Sequence, residues 1–442
     1  MANINFSIDW LSSGGGEPAF RDTSAQLAIH LNETCLTRNE DIWSKTVRDT
    51  VLVSTYPLAL WFASSWWRLN FEPLPQPGIR PSLDWRMAHE LGAANHGFVW
   101  PRILFAPDGE MVNIWAERVP LEGQSIQYLY GLDAPRAVKM HDFQHQVHGF
   151  IETVLNRLQA VGCERTDLAA LWSFVQEDRE NPLSKRIRIL EAQMGFDPDE
   201  CPKEIISEAL RIQDETGITA MSELAPIFGR RADGTALGEI ANLALKDGLR
   251  GRPQVSGEDI KINPSSVAPW QRGVDAAREV RKLLNNKENP IDNNCLFELL
   301  GITAVQVDAW EGPFKNIVAV AKPEEGGNLN FIPRKKHPTA KRFEFVRFLA
   351  DIMERPKDNR DWLVSSDIAT ARQKYQRAFA AEFLCPIDSL VDFIEGDYSE
   401  SSFEDAAIHF GVSEKTVESL LANNGYLEIS SGEPHMPYRL AA

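Results

Sequence analysis

The chain has 442 residues, a formal net charge of −17, and 43% hydrophobic and 25% charged residues. That length accommodates two or three domains, each able to bury its own core, and the composition is that of an ordinary soluble globular protein. The acidic balance argues against broad, sequence-independent binding to nucleic acid, which depends on neutralising phosphates. The most apolar stretch, residues 56–67, is too short to cross a membrane and contains Ser64 and Ser65. MANINFSIDW at the start lacks the basic and then apolar blocks of a signal peptide. Five cysteines (Cys35, Cys163, Cys201, Cys295, Cys385) lie far apart with no paired spacing, a reducing-compartment pattern. The expectation is a cytoplasmic protein with no membrane partner and no cofactor signature.

Residues 1–134 hold eight of the twelve Trp, the last of them Trp115. Apolar-alternating segments at 3–10, 50–54, 67–73, 98–105 and 111–117 read as strands, with PDGE at 107–110 as a hairpin turn. Helical pieces at 41–47 and 56–65 break them up. The reading is an α+β domain with a large aromatic core, its Trp residues serving packing in preference to a ligand cage. GGGE at 14–17 lacks the Lys and Ser/Thr of a phosphate-binding loop and reads as a flexible turn. His89-Glu90-Leu91-Gly92-Ala93 opens like HExxH, but Ala93 stands where the second His belongs and His96 lies two turns on. It is read as coincidence.

Residues 135–250 turn helical. Segments at 141–160, 167–177, 183–194, 202–215 and 236–246 carry apolar residues at three- and four-residue steps. Thr166 suits a cap, Pro202 a first turn, and Gly195 and Gly217 follow helix ends. His141, His145 and His148 share one face of the first helix, a spacing that could hold a transition metal. The preferred reading is a polar face beside Gln144 and Gln146.

Residues 248–267 are rich in Gly, Pro and Ser and read as a linker, placed at 251–268. The last domain, 269–442, opens with an amphipathic helix at 269–284, then PID at 290–292 and CLFELLG at 295–301. Strands at 316–321 and 328–332 flank a PEEGG turn. Two helical segments follow at 341–353 and 373–386, KRFEFVRFLADIM and QKYQRAFAAEFLCP. After Pro386, helices at 402–410 and 414–421 are separated by Gly411, Val412 and Ser413, the shape of a helix-turn-helix.

Hairpin, helix, spacer and an AFAAEFL-x-P helix in this order resemble the ImmA/IrrE family of metallo-endopeptidases, from about Pro269 onward. The resemblance implies a zincin-like fold. In that family an HExxH helix after an "RRF" start supplies two His ligands and the general base, and a carboxylate one helix later completes the zinc site. Arg342 and Phe343 match the start, which puts the ligand positions at Arg347 and Asp351, the general base at Phe348 and the third ligand at Tyr375. HExxH thus becomes Arg347-Phe348-Leu349-Ala350-Asp351. Arg cannot be deprotonated to bind a cation, Phe has no lone pair to offer, and one Asp alone cannot hold zinc.

The resemblance therefore implies a catalytically inactive pseudopeptidase, a regulatory or scaffolding protein that binds a protein partner, in a setting of phage or mobile-element regulation or defence. Two alternatives stand beside it. One is a DNA-binding regulator using the helix-turn-helix-like pair and the basic run Arg334, Lys335, Lys336, His337, Lys341, Arg342. That run reads first as a solvated loop, and the second helix offers only Lys415 as a cation beside Glu414 and Glu418. The other is an enzyme whose site lies outside the degenerate cleft, on the histidine face or in the Trp-rich domain.

Overall fold

The computed structural model describes residues 2–12, 16–75, 80–118, 124–228, 235–260, 268–310, 317–356 and 359–427. Backbone contacts gather into two units, Met1–Ser207 and Glu208–Ser431. The protein is mixed α+β, with small antiparallel sheets.

In the first unit β1 (Ile4–Trp10) pairs with β2 (Ser24–Leu31), with Ile4 opposite Leu31 and Trp10 opposite Ala25. Helix α1 (Pro18–Asp22) joins them. β2 also carries β3 (Thr34–Cys35) and β6 (Val51–Ser54). Between these lies a hairpin, β4 (Asn39–Asp41) and β5 (Thr46–Arg48), in the stretch expected to be helical at 41–47. The Asp41 carboxylate accepts from the backbone N–H groups of Trp43 and Ser44, both at 2.9 Å, and Lys45 adopts φ +55°. This side-chain turn competes locally with a helix and wins.

Helices α2 (Tyr56–Ser64) and α3 (Trp66–Phe71) come next. The expected strand at 67–73 is thus a helix. Trp67, Leu69 and Phe71 alternate, but the surrounding side chains bond at helical spacing: Arg68 Nε donates to Glu72 at 2.7 Å and Asn70 Nδ2 to the Trp66 carbonyl at 2.5 Å. Burial on every side removes the polar face that separates one period from the other. After α4 (Leu83–His89), strands β7 (Arg102–Pro107) and β8 (Met111–Glu117) form the expected hairpin, its turn closed by Asp108 Oδ1 accepting from Met111 N at 2.8 Å. β9 (Ile126–Tyr128) pairs with β4, and β10 (Arg136–Lys139) with β8.

Helices α5 (Met140–Ala160), α6 (Asp167–Glu180) and α7 (Pro182–Gln193) follow the sequence expectation closely. α5 buries Phe143, Val147, Phe150, Ile151, Val154 and Leu158, one stripe against the aromatic core. Trp61, Trp66, Trp67, Trp85 and Trp100 are buried in this unit, as a packing role requires, whereas Trp43 is exposed.

His89 sits in that interior on a polar network. Its Nδ1 lies 2.9 Å from the Phe105 carbonyl, its Nε2 3.1 Å from Glu72, and its ring stacks on Trp85 at 4.0 Å. Arg68 reaches Glu72, and also Asp84 at 2.8 Å. HELGA is therefore part of a structural ion cluster.

The unit boundary falls within α8 (Lys203–Thr216). The second unit continues with α9 (Ile218–Phe228), α10 (Thr235–Ala244) and β11 (Leu249–Gly251). Helix α9 escaped the sequence reading because Gly217 precedes it and Pro226 lies inside it. β11 corrects the linker reading of 248–267. It edges a sheet ordered β11-β13-β12-β14, made with β12 (Ala319–Pro323), β13 (Leu329–Ile332) and β14 (Leu363–Ser365). A Cβ at Gly248 would sit 2.2 Å from the Phe331 carbonyl oxygen, and one at Gly251 2.5 Å from that of Leu300. These glycines admit close backbone approach and do not mark flexibility. Residues 261–267 of the linker, residues 14 and 15 of GGGE and residue 316 of the expected strand lie outside the described residues.

Helix α11 (Pro269–Leu283) leads to α12 (Asn293–Leu300), capped by Asp292 and closed by Gly301 at φ +68°, and to α13 (Ala304–Ala309). Two long helices follow: α14 (Pro338–Glu354), which packs on the sheet, and α15 (Ala371–Leu384), which packs on α11 and α14. α16 (Ile387–Ile394), α17 (Glu400–Phe410) and α18 (Glu414–Asn423) complete the unit. Among the described residues, no helix is long and apolar enough to cross a membrane.

The Arg68 cluster yields a pH test. Burial opposes ionisation of Glu72, but His89 and Arg68 outweigh it and hold the carboxyl below its usual range. Protons therefore bind the unfolded chain first, and the stability Glu72 lends fades as pH falls from about 4.3 through the folded value. Glu72→Gln is expected to lower unfolding free energy by about 2–3 kcal/mol at pH 7. In urea titrations the difference from wild type should close on acidification; a difference independent of pH would assign the loss to packing.

Candidate functional site

Helix α14 starts at Pro338, where a missing N–H costs nothing, and every residue from Glu344 to Met353 is buried. Its polar side chains must therefore find partners inside the protein. Helix α15 starts beyond Thr370, whose hydroxyl accepts from Gln373 N at 3.2 Å. The two helices lie side by side. Of the four positions singled out in the sequence, Arg347 and Asp351 bond from α14 to α15, Phe348 faces the sheet, and Tyr375 lies against α11.

Arg347 is only 4% exposed. Its Nη2 donates to the Ser366 carbonyl at 2.6 Å and to Gln373 Oε1, while its buried Nε has no partner. Burial, and then the charges of Arg377 and Arg334, push its guanidinium down to about 9, still protonated at neutral pH. Phe348 is fully buried and packs on Phe331 of the sheet at 5.5 Å. Asp351 accepts from Nε and Nη2 of Arg372, both at 2.7 Å, a bidentate pair that uses both carboxylate oxygens. Tyr375 is fully buried with an unpartnered hydroxyl, and burial holds that hydroxyl well above its ordinary pKa. Its backbone is pressed against α11: a Cβ at Gly273 would lie 2.4 Å from the Tyr375 carbonyl oxygen.

Glu223 of α9 joins this interior unannounced by the sequence. It is 4% exposed, accepts from Thr370 Oγ1 at 2.8 Å, and is raised by burial above the usual carboxyl range against the pull of Arg372. Gln373 was missed as well. Its Oε1 also accepts from Ser366 N at 2.8 Å, so one amide ties the end of β14 to Arg347. Neither residue sits in a motif; only the packing of α9, the segment at 366–370 and α15 brings them together.

A cleft of about 1300 Å³ opens beside these helices. Its walls include Trp270 and Val274 of α11, Phe343 and Arg347 of α14, Arg377 of α15 and Ile408 of α17. Arg334 and Lys335 border it too. Arg334 is held by Glu344 through Nε at 2.9 Å and by Asp367 through Nη2 at 2.7 Å. Burial opposes ionisation of Asp367, but Arg334 outweighs it and keeps that carboxyl below its ordinary range.

The basic run from 334 to 342 does not form one exposed patch. Arg334 is tied into those ion pairs, Arg342 Nη2 donates to the Ile291 carbonyl, and Lys341 Nζ approaches the Val307 carbonyl at 3.5 Å. Lys335 and Lys336 are exposed. Gly411 between α17 and α18 adopts φ +63°, and a Cβ there would meet Arg342 Nη1 at 2.1 Å, so this turn is packed against α14. Ser413 caps α18 by accepting from Thr416 N at 3.2 Å. Lys415 is exposed, with Glu414 and Glu418 also exposed on the same short helix.

In the first unit His141 and His145 are exposed, and His148 faces Glu152 at 3.9 Å and Arg179 at 3.4 Å. Burial lowers the His148 pKa. Among the described residues no group of three His, Cys, Asp or Glu side chains is arranged to hold a metal ion. Compared with known proteins, the chain has no matching family model, and no curated protein or solved structure matches it significantly.

Two substitutions at the α14–α15 interface should move stability in opposite directions. Asp351→Asn leaves Arg372 without its carboxylate and is expected to lower unfolding free energy by about 3 kcal/mol. Tyr375→Phe removes a buried hydroxyl that bonds nothing and is expected to raise it by about 1 kcal/mol. Chemical denaturation reads both, and a loss in Tyr375→Phe would mean that the hydroxyl has a partner in solution.

Proposed function

We propose that the second unit is a catalytically inactive pseudopeptidase of the ImmA/IrrE type, zincin-like in fold, and that the protein works by binding a protein partner in a regulatory or scaffolding role. The observation that carries this reading is how the donor atoms at the former ligand positions are used. Asp351 spends both oxygens on Arg372, and Arg347 brings a buried cation to the place where a second cation would have to sit. A divalent ion between these helices would face that guanidinium's repulsion in a low-dielectric interior. Phe348 and Tyr375 contribute packing.

The cleft supports the binding half of the reading. Its size suits a peptide segment, and its lining mixes apolar side chains such as Trp270, Val274 and Phe343 with many charged ones. Of the four positions that the resemblance singles out, Arg347 lines this cleft, and in this reading a partner segment lies along it without being cut. The setting implied by the resemblance is regulation or defence linked to phage or mobile elements.

Elemental analysis of purified protein tests this directly. The expected result is far less than one zinc per chain, unchanged by chelator treatment. One zinc per chain that disappears on replacing Asp351 would end the reading and restore a peptidase.

A further inference from the structure

We infer that the floor of the cleft in the second unit is an oxyanion-binding site, in which Arg347 and Arg377 receive a carboxylate or phosphate group of the ligand. This deepens the reading of the cleft as a binding groove and rests on it.

Arg347 and Arg377 both line the cleft, one 4% exposed and the other half-buried. Every hydrogen-bond acceptor they have among the described residues is neutral: the Ser366 carbonyl and the Gln373 amide for Arg347, and the Ile368 carbonyl at 3.1 Å for Arg377. Neither is in an ion pair there. Buried guanidiniums ordinarily meet a carboxylate, because desolvating an unpaired charge is costly. Arg372 with Asp351 and Arg334 with Glu344 and Asp367 follow that rule. Among the described residues, Arg281 and Arg342 meet backbone carbonyls only. Arg347 and Arg377 differ from those two in lining the cleft.

The acids close to the pair do not resolve this imbalance. Glu344 and Asp367 are engaged by Arg334, Glu382 by Arg278 at 2.7 Å, and Glu223, whose charge also acts on Arg377, accepts from Thr370. Glu404 and Glu414 face the cleft from α17 and α18. The lining as a whole carries more Lys and Arg than Asp and Glu, in a chain whose net charge is −17. A cationic floor walled by low-dielectric side chains focuses the field on an incoming anion.

The second, independent observation is the Arg347 Nε–H. It is buried, has no partner, and belongs to a residue that opens onto the cleft. Nη2 already serves Ser366 and Gln373, so Nε–H and Nη1 are the donors left to make charge-assisted hydrogen bonds to an oxyanion. Burial and the neighbouring Arg charges depress the Arg347 pKa, the direction expected where a compensating negative charge comes from the ligand.

The test uses the full chain and two probes, inorganic phosphate and succinate, each titrated against sodium chloride at matched ionic strength. NMR of the arginine Nε–Hε resonances reads binding in the unmodified protein. Saturable shifts at low millimolar concentrations of either probe, absent with chloride, are expected. Tighter binding of phosphate assigns a phosphorylated ligand, and tighter binding of succinate assigns a carboxylate one. Arg377→Gln removes one half-buried cation and is expected to weaken the apparent Kd about tenfold, with its unfolding midpoint in the absence of probe as the control for folding. If that variant does not fold, the wild-type titration decides alone. Arginine resonances that respond no more to phosphate and succinate than to chloride overturn the proposal. Zinc content reads the pseudopeptidase assignment separately: a zinc-free protein blind to both anions keeps that assignment and ends this one.

Discussion

The second unit depends on how buried guanidiniums are neutralised between α14 and α15. Asp351 and Arg372 form a closed pair, with both oxygens and two nitrogens aligned at 2.7 Å. Such a pair adds little net stability over a hydrophobic contact, but removing either member leaves a charge with no water to receive it. Arg347 is solved differently, by carbonyl and amide oxygens from the segment after β14 and from α15. Dipoles take up the hydrogens of Nη2 without cancelling the charge, and Nε–H stays unpartnered in a side chain that lines the cleft.

The rest of the site follows from this difference. A helix buried along ten consecutive residues, Glu344 to Met353, can carry polar groups only if its neighbours are polar at matching heights. Gln373 and Glu223 are such neighbours, and neither is exposed. Several other polar atoms on α15 and the segment after β14, including Ser366 Oγ, Gln376 Oε1 and Tyr375 Oη, are buried without partners. An interior of this kind holds more polar groups than its own bonds require, and it sits beside the groove. The first unit shows the contrasting case. Arg68 has carboxylates on several sides and His89 is bracketed by Glu72 and a carbonyl, so the cluster is saturated and serves the fold.

Periodicity and caps made much of the secondary structure legible. α5, α6, α7, α14, α15, α17 and α18 sit where apolar spacing puts them, with Thr166 and Ser413 in their capping roles. The β7–β8 hairpin was visible because its turn chemistry, Asp108 and Gly109, is local. Errors arose where local signals compete. At 41–47 a side-chain turn displaced a helix, at 67–73 full burial erased the polar face, and at 248–251 glycines chosen for close approach imitated a linker.

The sequence by itself determined which donors α14 offers at 347, 348 and 351. Arg, Phe and Asp at 347, 348 and 351 cannot assemble a metal-bound water wherever the helix lies, because donor capacity belongs to the residue type. Only the tertiary structure decided which charges are cancelled. Asp351 finds Arg372 twenty-one residues away, Arg334 leaves an apparently basic run for Glu344 and Asp367, and Glu223 reaches Thr370 across 147 positions. Pairing is a matter of distance and burial, which a linear order of residues does not contain.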